Sequence, residues 1–309
     1  MATAQPWQWP IPRPLRQLFD AFPLVVHEAT ELPARSDPSN NSTIPTLYIF
    51  TTEDDARNGA PSHNPTCLKW QVSLPYPPLP SIRPQTDTQK TYLHLTKTPF
   101  KTHPSTNHAS PTGALPFLLP LRQPESGTTN TPSKPLPSSS FLKTYPLPGT
   151  KEESDPRLEA YNSLLETPIR NLWLYTLYLD PQHTPLLDKF YVHPSSSSSL
   201  IRSSIRQSLR RAAEGEILKT GSYLSSAAAG TAVVDGERIE SEGKAALEAL
   251  EGLLNESKTG WFFGAEGPGE FDCGVFAYTE LLARWVGRLE GYQRLEGHRK
   301  RLGGLCGWV

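Results

Sequence analysis

The sequence predicts two units of different class: a small, loop-rich α/β unit followed by an all-helical unit. The 309 residues include 32 prolines, about double an average usage of roughly 5%. They crowd the first half, and Ala, Glu, Leu and Arg take over after Asp155. Thr46 to Thr52 reads as a buried strand from its aromatic and β-branched residues, and a helix opens after it at Pro65. From Asp155 onward, apolar residues recur at three- and four-residue spacings.

Residues 1–44 are expected to be an N-terminal extension. Within it Leu15, Leu18, Phe19 and Phe22 share one face of a short helix headed by Pro14. The α/β unit then covers 45–150. After its first strand a loop is expected from Glu53 to Asn64, and Asn64 caps the helix that starts at Pro65.

Five prolines between Val72 and Pro84 forbid that helix from continuing. Removing 72–90 joins Gln71 to Thr91 in helical phase, with Cys67, Trp70 and Leu93 on one apolar face. The segment is therefore expected to be an exposed, disordered insertion or a retained intron, since Val72-Ser73 can be encoded by a splice-donor sequence and Lys90 can end in AG. A weak strand over Pro99 to Pro104 and a better one over Gly113 to Leu119 follow. A long loop runs from Pro120 to Pro137, and Ser138 is expected to cap a short helix carrying Phe141, Leu142 and Tyr145.

The helical unit covers 151–309. Its first helix runs from Asp155 to Asp180 with a kink at Pro168. Ser195 to Ser199 form a break, and Leu200 to Lys219 places Ile201, Ile205, Leu209 and Ala212 on one stripe and Arg202, Arg206 and Arg210 on another. The arginine row is read as a solvated face rather than a site for anionic lipid or an acidic partner. Glu237 to Leu254 and Phe271 to Leu289 complete the helices, the last with its start fixed by Asp272 accepting from first-turn amides.

A formal net charge of −1 gives no field for nucleic acid or an acidic substrate. Cys67, Cys273 and Cys306 have no paired spacing and read as half-buried thiols of a reducing compartment. The chain carries neither an apolar signal run nor 18 consecutive apolar residues, so it is expected to be neither secreted nor spanning. A membrane role would be a peripheral one.

Three segments carry a resemblance: Asn64 to Gln71 (NPTCLKWQ), Asn107 to Leu119 (NHASPTGALPFLL) and Trp261 to Gly264 (WFFG). Over about Pro14 to Arg301 the chain resembles the fungal metaxin-like subunits of the mitochondrial sorting and assembly machinery, within the glutathione-transferase-like superfamily. The resemblance implies a thioredoxin-like domain followed by an all-α transferase-like domain, lying peripherally on the cytosolic face of the mitochondrial outer membrane. It implies a noncatalytic receptor whose partners are the outer-membrane β-barrel assembly protein, a second metaxin-like subunit and the sorting signals of β-barrel precursors. Trp261, Phe263, Gly264 and Asp272 form its structural motif.

The residues themselves argue against catalysis. A glutathione transferase needs a hydroxyl or thiol after the first strand to stabilise a thiolate, and Thr51, Thr52, Ser62 and Cys67 are the candidates. Thr51 and Thr52 are expected to finish the strand, Ser62 to lie in a loop, and Cys67 to face the core. Glu125-Ser126 has the letters of a γ-glutamyl contact but is followed by no helix. No histidine spacing suits zinc, and His103 and His108 read as surface residues. Catalytic, cofactor and metal residues are therefore none.

Pro116 is expected to be cis. The edge around it, formed by Asn107, His108, Ser110, Gly113, Leu115 and Pro116, is expected to bind an extended peptide by strand addition. The alternative function is a glutathione-binding transferase.

Overall fold

In the computed structural model, residues 45–73, 92–93, 98–120, 135–138, 156–220, 233–265 and 267–308 are described, together with Gln17. The chain divides into two compact units, Met1–Asn41 and Ser42–Val309. The expected N-terminal helix, the body of the 72–90 segment, the Glu125-Ser126 pair and the helix after Ser138 lie outside the described residues.

Strand β1 (Thr46–Ile49) lies at the centre of a small mixed sheet. It pairs in parallel with β4 (Lys101–Pro104) and antiparallel with β5 (Phe117–Leu119), which pairs in turn with β6 (Leu136–Pro137). The spatial order β4-β1-β5-β6 is that of a thioredoxin-like sheet. Leu47 and Ile49 alternate inward along β1 and bury fully with Cys67, Trp70, Phe100, Leu115, Phe117 and Leu118. A two-residue ladder of β2 (Tyr92–Leu93) and β3 (Thr98–Pro99) stands beside it as a separate sheet.

Three sequence expectations change in this unit. The stretch after β1 is not all loop, because Glu53–Asn58 forms helix α1 with three acidic residues in its first turn and Thr52 as its cap. Helix α2 (Pro65–Ser73) does not stop at Gln71: Val72 is helical and 1% exposed. Any insertion therefore begins beyond Ser73, and Tyr92–Leu93 is extended rather than a continuation of the helix. The loop after Pro120 contains β6 at its end.

Why Val72 is buried follows from helix geometry. Cys67 and Trp70 point toward the sheet, whereas Leu68 and Val72, four residues apart, share another face and enter the core of the helical unit. Helix α2 thus has two apolar faces and is packed between sheet and helices. Lys69 adds a 2.6 Å ion pair to Glu270 on the helical side.

The helical unit opens with α3, in which Leu158–Leu164, Leu165–Ile169, Arg170–Leu174 and Tyr175–Leu179 run head to tail. Two of these segments are π-helical, and the first contains Pro168. A proline lacks the N–H of a regular turn, so local widening absorbs it. Helix α4 (Thr184–Leu187) continues through Asp188–Val192. Helices α5 (Ser199–Lys219), α6 (Gly236–Glu256) and α7 (Glu270–Leu281) follow.

An eighth helix, α8 (Gln293–Leu305), was not expected, although Leu295, His298, Leu302 and Cys306 are buried at helical spacing. The three cysteines are fully buried rather than half-buried.

Helix α5 keeps part of its expected inner stripe, since Ile205 and Leu209 pack on the core with buried Ala213 and Ile217, but the arginine row is not a solvated face. Arg206 makes a bidentate pair with Asp188 at 2.8 and 2.7 Å, Arg210 reaches the Tyr178 carbonyl and Thr184, and Arg202 donates to the Ser196 carbonyl. The arginine row is an inward staple to α3 and α4. Leu200 and Ile201 are 83% and 52% exposed instead. The planar guanidinium explains this outcome, because it satisfies carboxylate and carbonyl acceptors at once while its stem lies on apolar surface.

Two substitutions test the inward role of the arginines. Arg206→Ala is expected to lower unfolding free energy in urea by about 1 kcal/mol, as for a half-exposed bidentate pair. Leu200→Ser should stay within about 0.5 kcal/mol of the parent, as surface changes do.

Candidate functional site

The region where a transferase would do its chemistry lies at the end of β1. Here the structure engages or buries every candidate. Thr52 Oγ1 accepts from the Asp55 amide at 3.1 Å and donates to Asp55 Oδ2 at 2.8 Å, so its hydroxyl serves the α1 cap. It caps a helix rather than finishing the strand. Thr51 Oγ1 is buried and has no hydrogen-bond partner. Ser62 is fully buried; its hydroxyl donates to the Phe50 carbonyl at 2.6 Å and its amide to Gln71 Oε1 at 2.9 Å.

Cys67 sits on the α2 face that meets the sheet, and its amide donates to Asn64 Oδ1 at 3.2 Å, as expected of the cap. Burial pushes its thiol up to about 12, outweighing hydrogen bonds from the Phe50 backbone and Ser62 that pull the other way. A thiol so placed is neither a nucleophile nor a metal ligand at neutral pH.

Sequence reasoning missed the aromatic seam that closes this region against the helical unit. His63 is 6% exposed and stacks on Phe190, with ring centroids 4.5 Å apart and planes 4° apart; Tyr191 meets it edge-on at 5.1 Å. Asn64 Nδ2 donates to the Tyr191 hydroxyl at 3.3 Å, and Phe190 packs edge-on against Trp285. Burial holds the ionisable groups of the seam neutral. His63 is lowered to about 4, with a smaller opposing pull from Asp55. The Tyr178 phenol rises to about 12 and that of Tyr191 well above its usual range. No motif marks these residues, because α4 brings Phe190 and Tyr191 to His63 only in three dimensions.

The expected peptide-binding edge is assembled, but one of its donors is already used. The Leu115-Pro116 bond is cis, as expected. Asn107 begins a 3₁₀ turn, Asn107–Ala109, and its side-chain oxygen accepts from the Leu115 amide at 3.0 Å. Ser110 is buried and bonds Thr112, whereas His108 and Gly113 are exposed, the latter at φ 73°. Leu115 and Pro116 are buried. His103 and His108 lie at the surface, and among the described residues no group of three or more His, Cys, Asp or Glu could hold a metal ion.

The structural motif converges on Asp272, which is fully buried. Its carboxylate fixes the start of α7 as expected, through the amide of the N-cap residue Gly269. Oδ2 accepts from the Gly269 amide at 3.0 Å, and Oδ1 accepts from the Phe262 amide at 3.2 Å and from His298 Nε2–H at 2.8 Å. Gly269 has no side chain to accept from the Asp272 amide, so only the carboxylate half of a capping box forms, and the other carboxylate oxygen bonds the aromatic turn and α8. Trp261 and Phe262 pack edge-on against His298. Phe263 adopts φ 55° and Gly264 φ 69°, a left-handed pair that reverses the chain before α7.

The fold is a thioredoxin-like sheet unit followed by an all-helical unit, the arrangement of a glutathione-transferase-like fold. A family model described as the glutathione S-transferase N-terminal domain matches residues 88–183. Among solved structures, a glutathione S-transferase from Xanthobacter autotrophicus Py2 is similar at 16% identity, with 84% of this chain and 92% of that chain covered and a TM-score of 0.35. A possible glutathione S-transferase from Rhodopseudomonas palustris is similar at 13% identity, over 84% and 86% of the two chains, with a TM-score of 0.36. A glutathione transferase from Populus trichocarpa is similar at 12% identity, over 84% and 93%, with a TM-score of 0.34. No curated protein matches the chain.

The seam carries a pH dependence. The folded value of His63 lies near 4 against an ordinary 6.5, so the unfolded chain takes up the proton first. The stabilising contribution is complete above pH 6.5 and is lost as pH falls from there to about 4, a total on the order of 3 kcal/mol. Urea unfolding at pH 7 and pH 4.5 is expected to show this loss, and His63→Phe should reduce it.

Proposed function

We propose that this protein is a noncatalytic, peripheral subunit of the sorting and assembly machinery on the cytosolic face of the mitochondrial outer membrane. It holds the barrel subunit and a second metaxin-like subunit and helps recognise β-barrel precursors. The observation that carries the noncatalytic part is the state of the β1 end. Thr52 is a helix cap, Ser62 bonds a backbone carbonyl, Thr51 Oγ1 is buried, and Cys67 is buried with its thiol held neutral. A transferase must present one of these groups to a solvent-borne thiol.

The assignment to the machinery rests on the resemblance of the Asn64–Gln71, Asn107–Leu119 and Trp261–Gly264 segments. A peripheral position agrees with the described residues, where no helix is long and apolar enough to cross a membrane. A glutathione-binding transferase is the other reading, and the family model over residues 88–183 is the observation that favours it.

Two measurements separate them. The purified protein is expected to flow through glutathione resin and to leave the conjugation of a generic electrophile at its uncatalysed rate. Thr52→Val should cost about 1 kcal/mol of stability through the lost cap and change no turnover. Tagged protein should copurify from mitochondria with an outer-membrane barrel protein. Retention on the resin with turnover lost in Thr52→Val or Cys67→Ala would replace this reading with the enzyme.

A further inference from the structure

The chain turns a projecting corner between α4 and α5. It leaves the core at Val192, which is fully buried, and next packs on the core at Ile205. From His193 to Ser204 every residue except Ser196 and Arg202 is exposed. On this corner, in the first turn of α5, stand the two most exposed large apolar side chains among the described residues, Leu200 at 83% and Ile201 at 52%.

The charge around them has one sign. No Asp or Glu occurs from His193 to Ala213, a stretch that carries Arg202, Arg206, Arg210 and Arg211. Arg206 has a carboxylate partner in Asp188. Arg202 and Arg210 bond carbonyl and hydroxyl oxygens, which leave their charge in place. Arg211 is exposed. The first carboxylate after Leu200 along the helix belongs to Glu214, about 20 Å farther on at the rise of an α-helix.

Two aliphatic side chains offer too little for a protein partner, since a stable interface buries about 800 Å² on each side. A bilayer asks less: a protruding apolar pair that reaches the boundary between headgroups and acyl chains, and cations drawn to anionic lipid. The flanking residues suit that surface. Ser197 to Ser199 on one side and Ser203 and Ser204 on the other are exposed, short and neutral.

We propose that the corner between α4 and α5 is a lipid-docking tip: Leu200 and Ile201 enter the headgroup boundary of an anionic bilayer, and the arginine charge of α5 draws the tip to it. This rests on the reading of the protein as a peripheral membrane subunit, and it names the surface and the lipid class. The inward arginines then act twice. Their hydrogen bonds hold α5 in place, while their charge still acts over a Debye length, about 10 Å at 0.1 M salt.

The test is flotation of the full chain with vesicles of phosphatidylcholine alone or of phosphatidylcholine mixed with phosphatidylserine. The parent is expected to bind the mixed vesicles at least about fivefold more tightly and to be released as salt rises. Leu200→Ser combined with Ile201→Ser should weaken that binding about tenfold or more, and Arg211→Gln about fivefold. Both variants should unfold in urea as the parent does, because the substituted side chains are exposed. Ile201→Cys, labelled there with nitrobenzoxadiazole while the native cysteines stay buried, should brighten and shift to the blue on the mixed vesicles.

Equal flotation of the parent and the double serine variant would overturn the proposal. So would equal binding to the two kinds of vesicle, or a label that stays in water. Loss of barrel-protein copurification in the double variant, with no vesicle binding by the parent, would assign the tip to a protein partner instead. The assembly reading is tested separately: a parent that copurifies with the barrel protein but does not float keeps that reading and sinks the tip. One that floats through Leu200 and Ile201 but brings down no barrel protein does the reverse.

Discussion

A buried carboxylate whose charge partner among the described residues is a histidine has to be satisfied by hydrogen bonds, and much of this fold is arranged around how Asp272 achieves that. One oxygen takes the amide of Gly269 at the start of α7, and the other takes both the Phe262 amide and the His298 ring. The aromatic turn, the start of α7 and α8 are thereby fixed to one side chain. The aromatic turn needs this anchor most, because Phe263 and Gly264 both hold left-handed backbone angles. Breaking a buried polar hub of this kind costs about 3–5 kcal/mol, since it leaves the other groups buried and unpaired.

Helix α2 has the corresponding role between sheet and helices. With Cys67 and Trp70 in one core and Leu68 and Val72 in the other, it belongs equally to both parts. The seam beside it is closed by rings: His63 on Phe190, Tyr191 across their edge, and Trp285 behind Phe190. The Trp308 indole nitrogen donates to the Gly59 carbonyl at 2.7 Å, so the last helix also reaches back to the first. A joint packed this way has little use for charge, and burial keeps its cysteine, histidine and tyrosines neutral. Stability and loss of chemistry are here the same physical fact, because the groups an enzyme would ionise are those the joint has buried.

The alternation of Leu47 and Ile49, the Asn64 cap and the periodicity of α3 and α6 could all be read from sequence, since each is local. The change from a loop-rich α/β half to a helical half also shows in the composition after Asp155, whereas the thioredoxin-like expectation came from the family resemblance. Three kinds of feature could not be read this way. Thr52 as a cap depends on Asp55 being helical, a competition between strand end and helix start that a run of Thr residues leaves undecided. Val72 was assigned to an insertion because the prolines after it outweigh two more helical residues, and only the second core shows why the helix continues. The inward role of the α5 arginines depends on where Asp188, Thr184 and the Tyr178 carbonyl lie, whereas Ile205 and Leu209 pack on the core as their spacing indicates. At the candidate site the segment from Asn107 to Pro116 was visible as a motif, but the Asn107 to Leu115 hydrogen bond that closes it is a contact across a loop.

The central claim is that one carboxylate couples the aromatic turn, α7 and α8. Hydrogen–deuterium exchange on Asp272→Asn, which keeps the volume and removes the charge, tests it most directly. The account predicts that amides of 261–264, of the first turn of α7 and of α8 around His298 lose protection together, each by about tenfold or more, as expected when a shared anchor worth at least about 1.4 kcal/mol is lost. Loss confined to residues 269–273, with α8 and the aromatic turn exchanging as in the parent, would contradict it.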